Sequence, residues 1–187
     1  MIKITAGVDE VGRGSLIGPV YAAAVILNKK VNRKLLKDSK CLNKTKREIL
    51  AIYIKKNSIW ATGKATQKEI DKINILNASL LAMKRAVKKL KKKPNLVLID
   101  GNKLPDMNNY KIKSIIGGDK KVPAISAASI IAKVTRDKMI TKLGKNFKEY
   151  DWDKNFGYGT KNHLRAIKNL GITIHHRKTF SPINKIK

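Results

Sequence analysis

Four apolar residues in a row, Leu96-Val97-Leu98-Ile99, stop abruptly at Asp100-Gly101. An apolar run without alternating polar positions, too short for a membrane span and closed by a turn, describes a strand buried on both faces. Residues 19–28 (Pro-Val-Tyr-Ala-Ala-Ala-Val-Ile-Leu-Asn) read as a second, mostly buried strand. Residues 3–9 read as a short strand ending in acidic residues, and Gly12-Arg13-Gly14-Ser15 as the turn that follows. The short connection predicts that these two strands pair antiparallel.

Helical signals alternate with further strands. Asn43 is placed to cap a helix over 43–56, with apolar Ile49, Leu50, Tyr53 and Ile54 among lysines. Residues 58–65 fit a third strand. Thr66-Gln67-Lys68-Glu69 has capping-box spacing and opens a long helix that ends in the basic run before Pro94. Residues 112–116 fit another strand, closed by Gly117-Gly118. Pro123 opens an Ala- and Ser-rich helix to about Leu143, small enough to lie close against a sheet. A last helix, about 160–170, stops at Gly171. This order predicts an α/β domain with a mixed sheet, spanning 1–187, with 145–187 as a C-terminal extension packed on it.

The net charge of +29 points to a polyanionic partner, nucleic acid before an acidic membrane surface. Of the 42 basic residues only 7 are Arg. That skew also fits A/T-rich coding, so the charge supports nucleic acid without establishing it. No apolar run reaches spanning length, and the first residues show no export signal. A single cysteine, Cys41, excludes an internal disulfide and a thiolate zinc cluster, and fits a reducing, cytoplasmic setting.

With 13 carboxylates, each can be weighed. Asp38, Glu48, Glu69, Asp71 and Asp106 read as solvated charges or helix caps. Glu149, Asp151 and Asp153 around Trp152 read as a solvated loop or a peripheral ion site. Asp9, Glu10 and Asp100 differ, because each lies where an apolar strand meets a glycine-bearing turn. If the two strands are neighbours, these acids converge, and Asp119 can join them from the next strand–helix junction. Clustered carboxylates repel unless a cation neutralises them, and hard oxygen ligands suit Mg²⁺ or Mn²⁺. Such a cluster in a basic protein fits two-metal phosphodiester chemistry. Either Asp9 or Asp100 alone would read as a turn cap. Asp137, well inside a helix, reads as a structural ion pair.

Other chemistries fit less well. Gly12-Arg13-Gly14-Ser15-Leu16-Ile17-Gly18 has the wrong glycine spacing for a dinucleotide site, and the preceding acids would repel a pyrophosphate. There is no P-loop and no G-x-S-x-G elbow. His163, His175 and His176 lack zinc spacing. Ser129 and Lys133, one helical turn apart, read as packing plus surface charge.

Taken together, Asp9-Glu10-Val11-Gly12-Arg13-Gly14, Asp38-Ser39-Lys40, Asn74-Ile75-Leu76, Ile99-Asp100-Gly101-Asn102, Gly118-Asp119, the run Val122 to Asp137, Gly157-Tyr158-Gly159-Thr160 and His176-Arg177 resemble the type 2 ribonucleases H, and among them the bacterial HII branch. The resemblance covers residues 7 to 183. It implies the ribonuclease H fold, a mixed five-stranded sheet flanked by helices. It implies hydrolysis of RNA in RNA–DNA hybrids and incision of DNA 5′ of embedded ribonucleotides, leaving 3′-hydroxyl and 5′-phosphate ends. It implies that Asp9, Glu10, Asp100 and Asp119 are the catalytic acids that bind Mn²⁺ or Mg²⁺. It further implies that Gly12, Arg13 and Gly14 read the ribose 2′-hydroxyl by their backbone, that Tyr158 stacks on the adjacent deoxyribose, and that Lys40 contacts a phosphate. The expected partner is hybrid or ribonucleotide-containing duplex, bound by a monomer. Where the family commonly has Pro and Ala, this chain has Ser15 and Ile17, which bears on the stiffness of the turn. His175-His176-Arg177 is expected to support the extension.

Two other readings stand beside this one. A DNA junction resolvase of the same broad fold shares the acids but needs no ribose reader. A non-catalytic basic RNA-binding protein explains the charge but leaves Asp9-Glu10 and Asp100 without a purpose.

Overall fold

The computed structural model describes residues 4–37 and 42–186. Five strands form one mixed sheet: β1 (Thr5–Val11), β2 (Val20–Leu27), β3 (Ser58–Ala65), β4 (Leu96–Asp100) and β5 (Ile112–Ile115). Their order is β3-β2-β1-β4-β5. The pairs β1–β2 and β2–β3 run antiparallel, and β1–β4 and β4–β5 run parallel. The α/β class and mixed sheet expected from the sequence are therefore present.

Helices cover both faces. After a short α1 (Lys34–Lys37) come α2 (Lys44–Asn57) and α3 (Gln67–Lys88). A single turn, α4 (Gly118–Lys121), precedes the long α5 (Pro123–Gly144); α6 (Trp152–Asn155) and α7 (Lys161–Leu170) complete the α-helices among the described residues. One sheet face, with Val8, Val20, Ala22, Val97 and Ile99, packs on α3 through Ala78, Ala82, Met83 and Ala86. The other, with Ala23 and Val25, packs on Leu50 and Ile54 of α2 and on Ala127, Ala128 and Ile131 of α5. The small residues of α5 do bring it close: a Cβ on Gly7 of β1 would lie 2.2 Å from the Ala124 carbonyl carbon.

The local capping signals are met. The Asn43 side chain accepts from Lys46 N, and Thr66 with Glu69 closes a full capping box. Two features differ from the sequence reading. Strand β1 does not end at its acids but runs through them to Val11, because Asp9, Glu10 and Val11 all pair with β2. Helix α3 is broken at Asn74, whose φ is 63°, and the Asn74 side chain recaps the second half by accepting from Asn77 N at 3.0 Å. Asn tolerates this left-handed conformation better than other non-glycine residues.

Residues after α5 build a third apolar cluster. Tyr150, Trp152, Ala166, Ile167 and Ile183 pack on Leu16 and Ile17, just past the glycine-bearing turn, and on Ile140 of α5. Ile17 and His176 also form an isolated β-bridge. The C-terminal segment thus reaches back to the connection between β1 and β2.

Candidate active site

Strand register decides which acids meet. Val8 pairs with Ile99 across parallel β1 and β4, and both side chains enter the α3-facing core. One residue on, Asp9 and Asp100 stand side by side and face the other way, toward α5, because strand side chains alternate. Ser129 of α5 lies beside the Asp9 carboxyl and favours its charged form. Glu10 alternates to the α3 side, where Arg13 Nη1 lies 3.2 Å from its Oε1. Asp100 Oδ1 accepts from Gly118 N at 2.6 Å, so the first amide of α4 fixes its orientation. Asp119 is the next residue along that turn, half-buried.

Burial and proximity both act on these acids. Burial, then repulsion from Glu10 and Asp100, pushes the Asp9 carboxyl up to about 8, partly opposed by the neighbouring Ser129 hydroxyl. Burial also raises Glu10, with Arg13 pulling it down and Asp100 pushing it up. Among the described residues no three acids or histidines already form a closed metal-ligand group. The crowding of Asp9, Glu10 and Asp100 nevertheless fits a hard divalent cation, which would relieve it with oxygen ligands.

Next to the acids lies the turn Gly12-Arg13-Gly14. Gly12 has φ 90°, and a Cβ there would sit 2.1 Å from Arg136 Nε, so both conformation and space demand glycine. Arg13 and Gly14 are exposed. A Cβ on Gly14 would lie 3.9 Å from Tyr158 Cε1, which places the half-buried ring beside the turn. Ser15 is fully buried, and its hydroxyl donates to Gly157 O at 3.0 Å. Ile17, also buried, packs under Gly157. Both departures from the family pattern therefore tie the turn to the segment that carries Tyr158. His163 holds that segment too: it accepts from Trp152 Nε1 at 3.0 Å and its Nδ1 lies 2.9 Å from Tyr158 O.

The structure thus brings Asp9, Glu10 and Asp100 together and sets Asp119 one residue past the amide that grips Asp100. Gly12, Arg13, Gly14 and Tyr158 line the adjoining surface. Lys40 lies outside the described residues. Asp137 is ion-paired with Lys133 at 3.1 Å, as its helix position implied. Three participants escaped the sequence reading. Ser129 lies beside the Asp9 carboxyl instead of only packing. Arg136 and Arg177 are wholly buried beneath the turn. Both are Arg in a chain whose basic residues are mostly Lys, the one signal that could have marked them.

Solved structures share this architecture. The ribonuclease H2 of Pyrococcus horikoshii OT3 matches with a TM-score of 0.80 at 29% identity, over 97% of this chain and 95% of that one. A Bst ribonuclease HIII in complex with Mn²⁺ matches in fold with a TM-score of 0.80 at 19% identity, over 98% of this chain and 68% of that one. The molecule is a type 2 ribonuclease H by class. More narrowly, the ribonuclease HII family model matches residues 6–182. Ribonuclease HII of Pelagibacter ubique (strain HTCC1062) is 72% identical over 185 residues, 99% of this chain and 100% of that protein. The chain belongs to the ribonuclease HII family.

Proposed function

We infer that this enzyme hydrolyses the RNA strand of RNA–DNA hybrids and incises DNA 5′ of embedded ribonucleotides by two-metal-ion phosphodiester hydrolysis, leaving 3′-hydroxyl and 5′-phosphate ends. It acts as a cytoplasmic monomer. The observation that carries this reading is the parallel β1–β4 register that sets Asp9 beside Asp100, one turn away from Gly12-Arg13-Gly14.

Asp9, Glu10, Asp100 and Asp119 are the catalytic acids and would hold Mn²⁺ or Mg²⁺. When bound, such ions activate a water and stabilise the leaving oxygen. The Glu10 and Gly118 amides hold the Asp9 and Asp100 carboxyls in place before substrate arrives. The Gly12-Arg13-Gly14 backbone, unobstructed by side chains at its glycines, approaches the minor groove and reads the 2′-hydroxyl that separates RNA from DNA. The Tyr158 ring supplies stacking without sequence preference. Lys40 contacts a phosphate, and the surplus of lysines follows the duplex backbone. No helix among the described residues is long and apolar enough to cross a membrane.

A nicking assay tests the reading. A duplex with one embedded ribonucleotide, given Mg²⁺ or Mn²⁺, is cut on the 5′ side of the ribose, while the same duplex in all-DNA form stays intact. Cutting of both duplexes would remove the ribose reader and favour a resolvase-like nuclease. Binding without cutting would sink the assigned acid cluster.

A further inference from the structure

Arg177 comes from the C-terminal tail, yet all its side-chain hydrogen bonds lie on the connection after β1. Its Nη2 donates to Gly12 O at 2.7 Å, its Nη1 to Arg13 O at 2.8 Å and its Nε to Gly18 O at 3.0 Å. Arg136 of α5 lies against the same turn. It donates to Ile17 O and Pro19 O at 3.4 Å and to Phe156 O at 3.1 Å, and its guanidinium carbon is 5.7 Å from the centre of the Tyr158 ring. Both side chains are fully buried, and among the described residues neither enters an ion pair. Burial pushes Arg177 down to about 9, and the neighbouring Arg136 charge adds to this, so the guanidinium still carries its charge at neutral pH.

Two buried cations whose hydrogen bonds go only to carbonyls, with the Tyr158 and Phe180 rings beside them, are costly unless their geometry does something. What it does follows from the planar trans peptide. A carbonyl turned inward turns the N–H of the same peptide outward. Gripping the carbonyls of Gly12 and Arg13 therefore points the amides of Arg13 and Gly14 away from the core. Among the described residues neither amide donates to another part of the chain. A lysine could not reproduce this, because a point charge cannot span three carbonyls as a planar fork does.

We propose that Arg177, with Arg136 beside it, is the positioning residue of the ribose-reading turn, setting the Arg13 and Gly14 amides outward toward the 2′-hydroxyl. The proposal rests on the assignment of Gly12-Arg13-Gly14 as that reader. The tail that delivers Arg177 is itself clamped: Asp71 of α3 accepts from Lys178 N at 3.1 Å, and from Thr179 N at 3.0 Å and Thr179 Oγ1 at 2.8 Å. Arg177 N also donates to Leu16 O at 2.9 Å.

The test compares full-length wild type with Arg177→Lys on three duplexes: one embedded ribonucleotide, a continuous RNA–DNA hybrid, and all DNA. A continuous RNA strand offers a 2′-hydroxyl in every register and hybrid shape besides, so a loosened reader matters less there. The expected result is a fall in kcat/KM on the single-ribonucleotide duplex at least about tenfold greater than on the hybrid. Calorimetric Mn²⁺ binding is expected to stay unchanged, since the acids do not touch Arg177. Equal losses on both substrates, tracking the melting temperature, would overturn the proposal in favour of a plain structural prop; unchanged kinetics would overturn it as well. If Arg177→Lys is unfolded at the assay temperature, Asp71→Asn loosens the same tail from outside. It should show the same selective loss, about threefold, and a proportional loss there overturns the proposal too. Wild type that cuts all-DNA duplex equally well would instead remove the reader itself, and is recognised without any variant.

Discussion

The two halves of the site solve opposite electrostatic problems. At the ends of β1 and β4, burial first and crowding among the acids second push Asp9 up to about 8. Beneath the Gly12-Arg13-Gly14 turn, two arginines are buried together and spread their charge over six backbone carbonyls. The first arrangement leaves repulsion for a cation to relieve. The second is already satisfied, and its effect is rigidity. They also differ in what holds them. Strand ladders place the acids, whereas the turn depends on side chains up to 165 positions away in sequence. The acids are thus placed by the sheet, and the turn by contacts that cross the chain.

The largest effect should come from the acid half. Asp100→Asn is expected to cut turnover by about a thousandfold or more, roughly 4 kcal/mol. Affinity for the duplex should hold or rise, because repulsion of phosphate falls. Single-turnover kinetics beside a binding titration checks this; retained cleavage would dissolve the comparison.

Acid should weaken the turn's supporting cluster. Burial pushes His176 down to about 4, with repulsion from His163 and His175 adding to it, and the other two histidines are lowered by burial. The unfolded chain takes up these protons near the ordinary value of 6.5, while folded His176 resists until about 4. Its contribution is therefore intact above 6.5 and lost as pH falls toward 4, by up to about 3 kcal/mol. Asp9, raised on folding, pulls the other way, so the useful quantity is the difference between wild type and His176→Gln. Urea unfolding at pH 7, 5.5 and 4.5 should show that difference shrinking with acid. A constant difference would mean the cluster does not titrate as its burial demands.

Gly12→Ala should cost about 1–3 kcal/mol of stability, since its Cβ meets the Arg136 guanidinium at a positive φ. The added strain falls on the turn, so selectivity for a single ribonucleotide should suffer more than cleavage of a continuous hybrid. Thermal melts and the two-substrate ratio report both. Asn43→Ala makes the smallest change and serves as the control. Loss of the α2 cap should cost about 1 kcal/mol and leave that ratio unchanged.

Much of this molecule could be read from local sequence. The apolar runs Val20–Leu27 and Leu96–Ile99 give strands because an unbroken apolar segment needs cover on both faces. Asn43 and the Thr66–Glu69 pair mark helix starts because a cap is satisfied within one turn. Asp9-Glu10 and Asp100 stood out because each follows an apolar strand beside a glycine.

What stayed hidden is long-range. That β1 continues through its acids depends on the ladder with β2, which no residue of β1 announces. Asp71 looked like a solvated charge and is the clamp on the tail. Arg177 looked like support for the extension and instead reaches Gly12 and Arg13. The sequence by itself determined the strands, the caps and which acids could matter, because those follow from periodicity and neighbours. Only the tertiary structure decided which acids meet and what holds the turn, because both are set by register and by contacts between residues far apart in the chain.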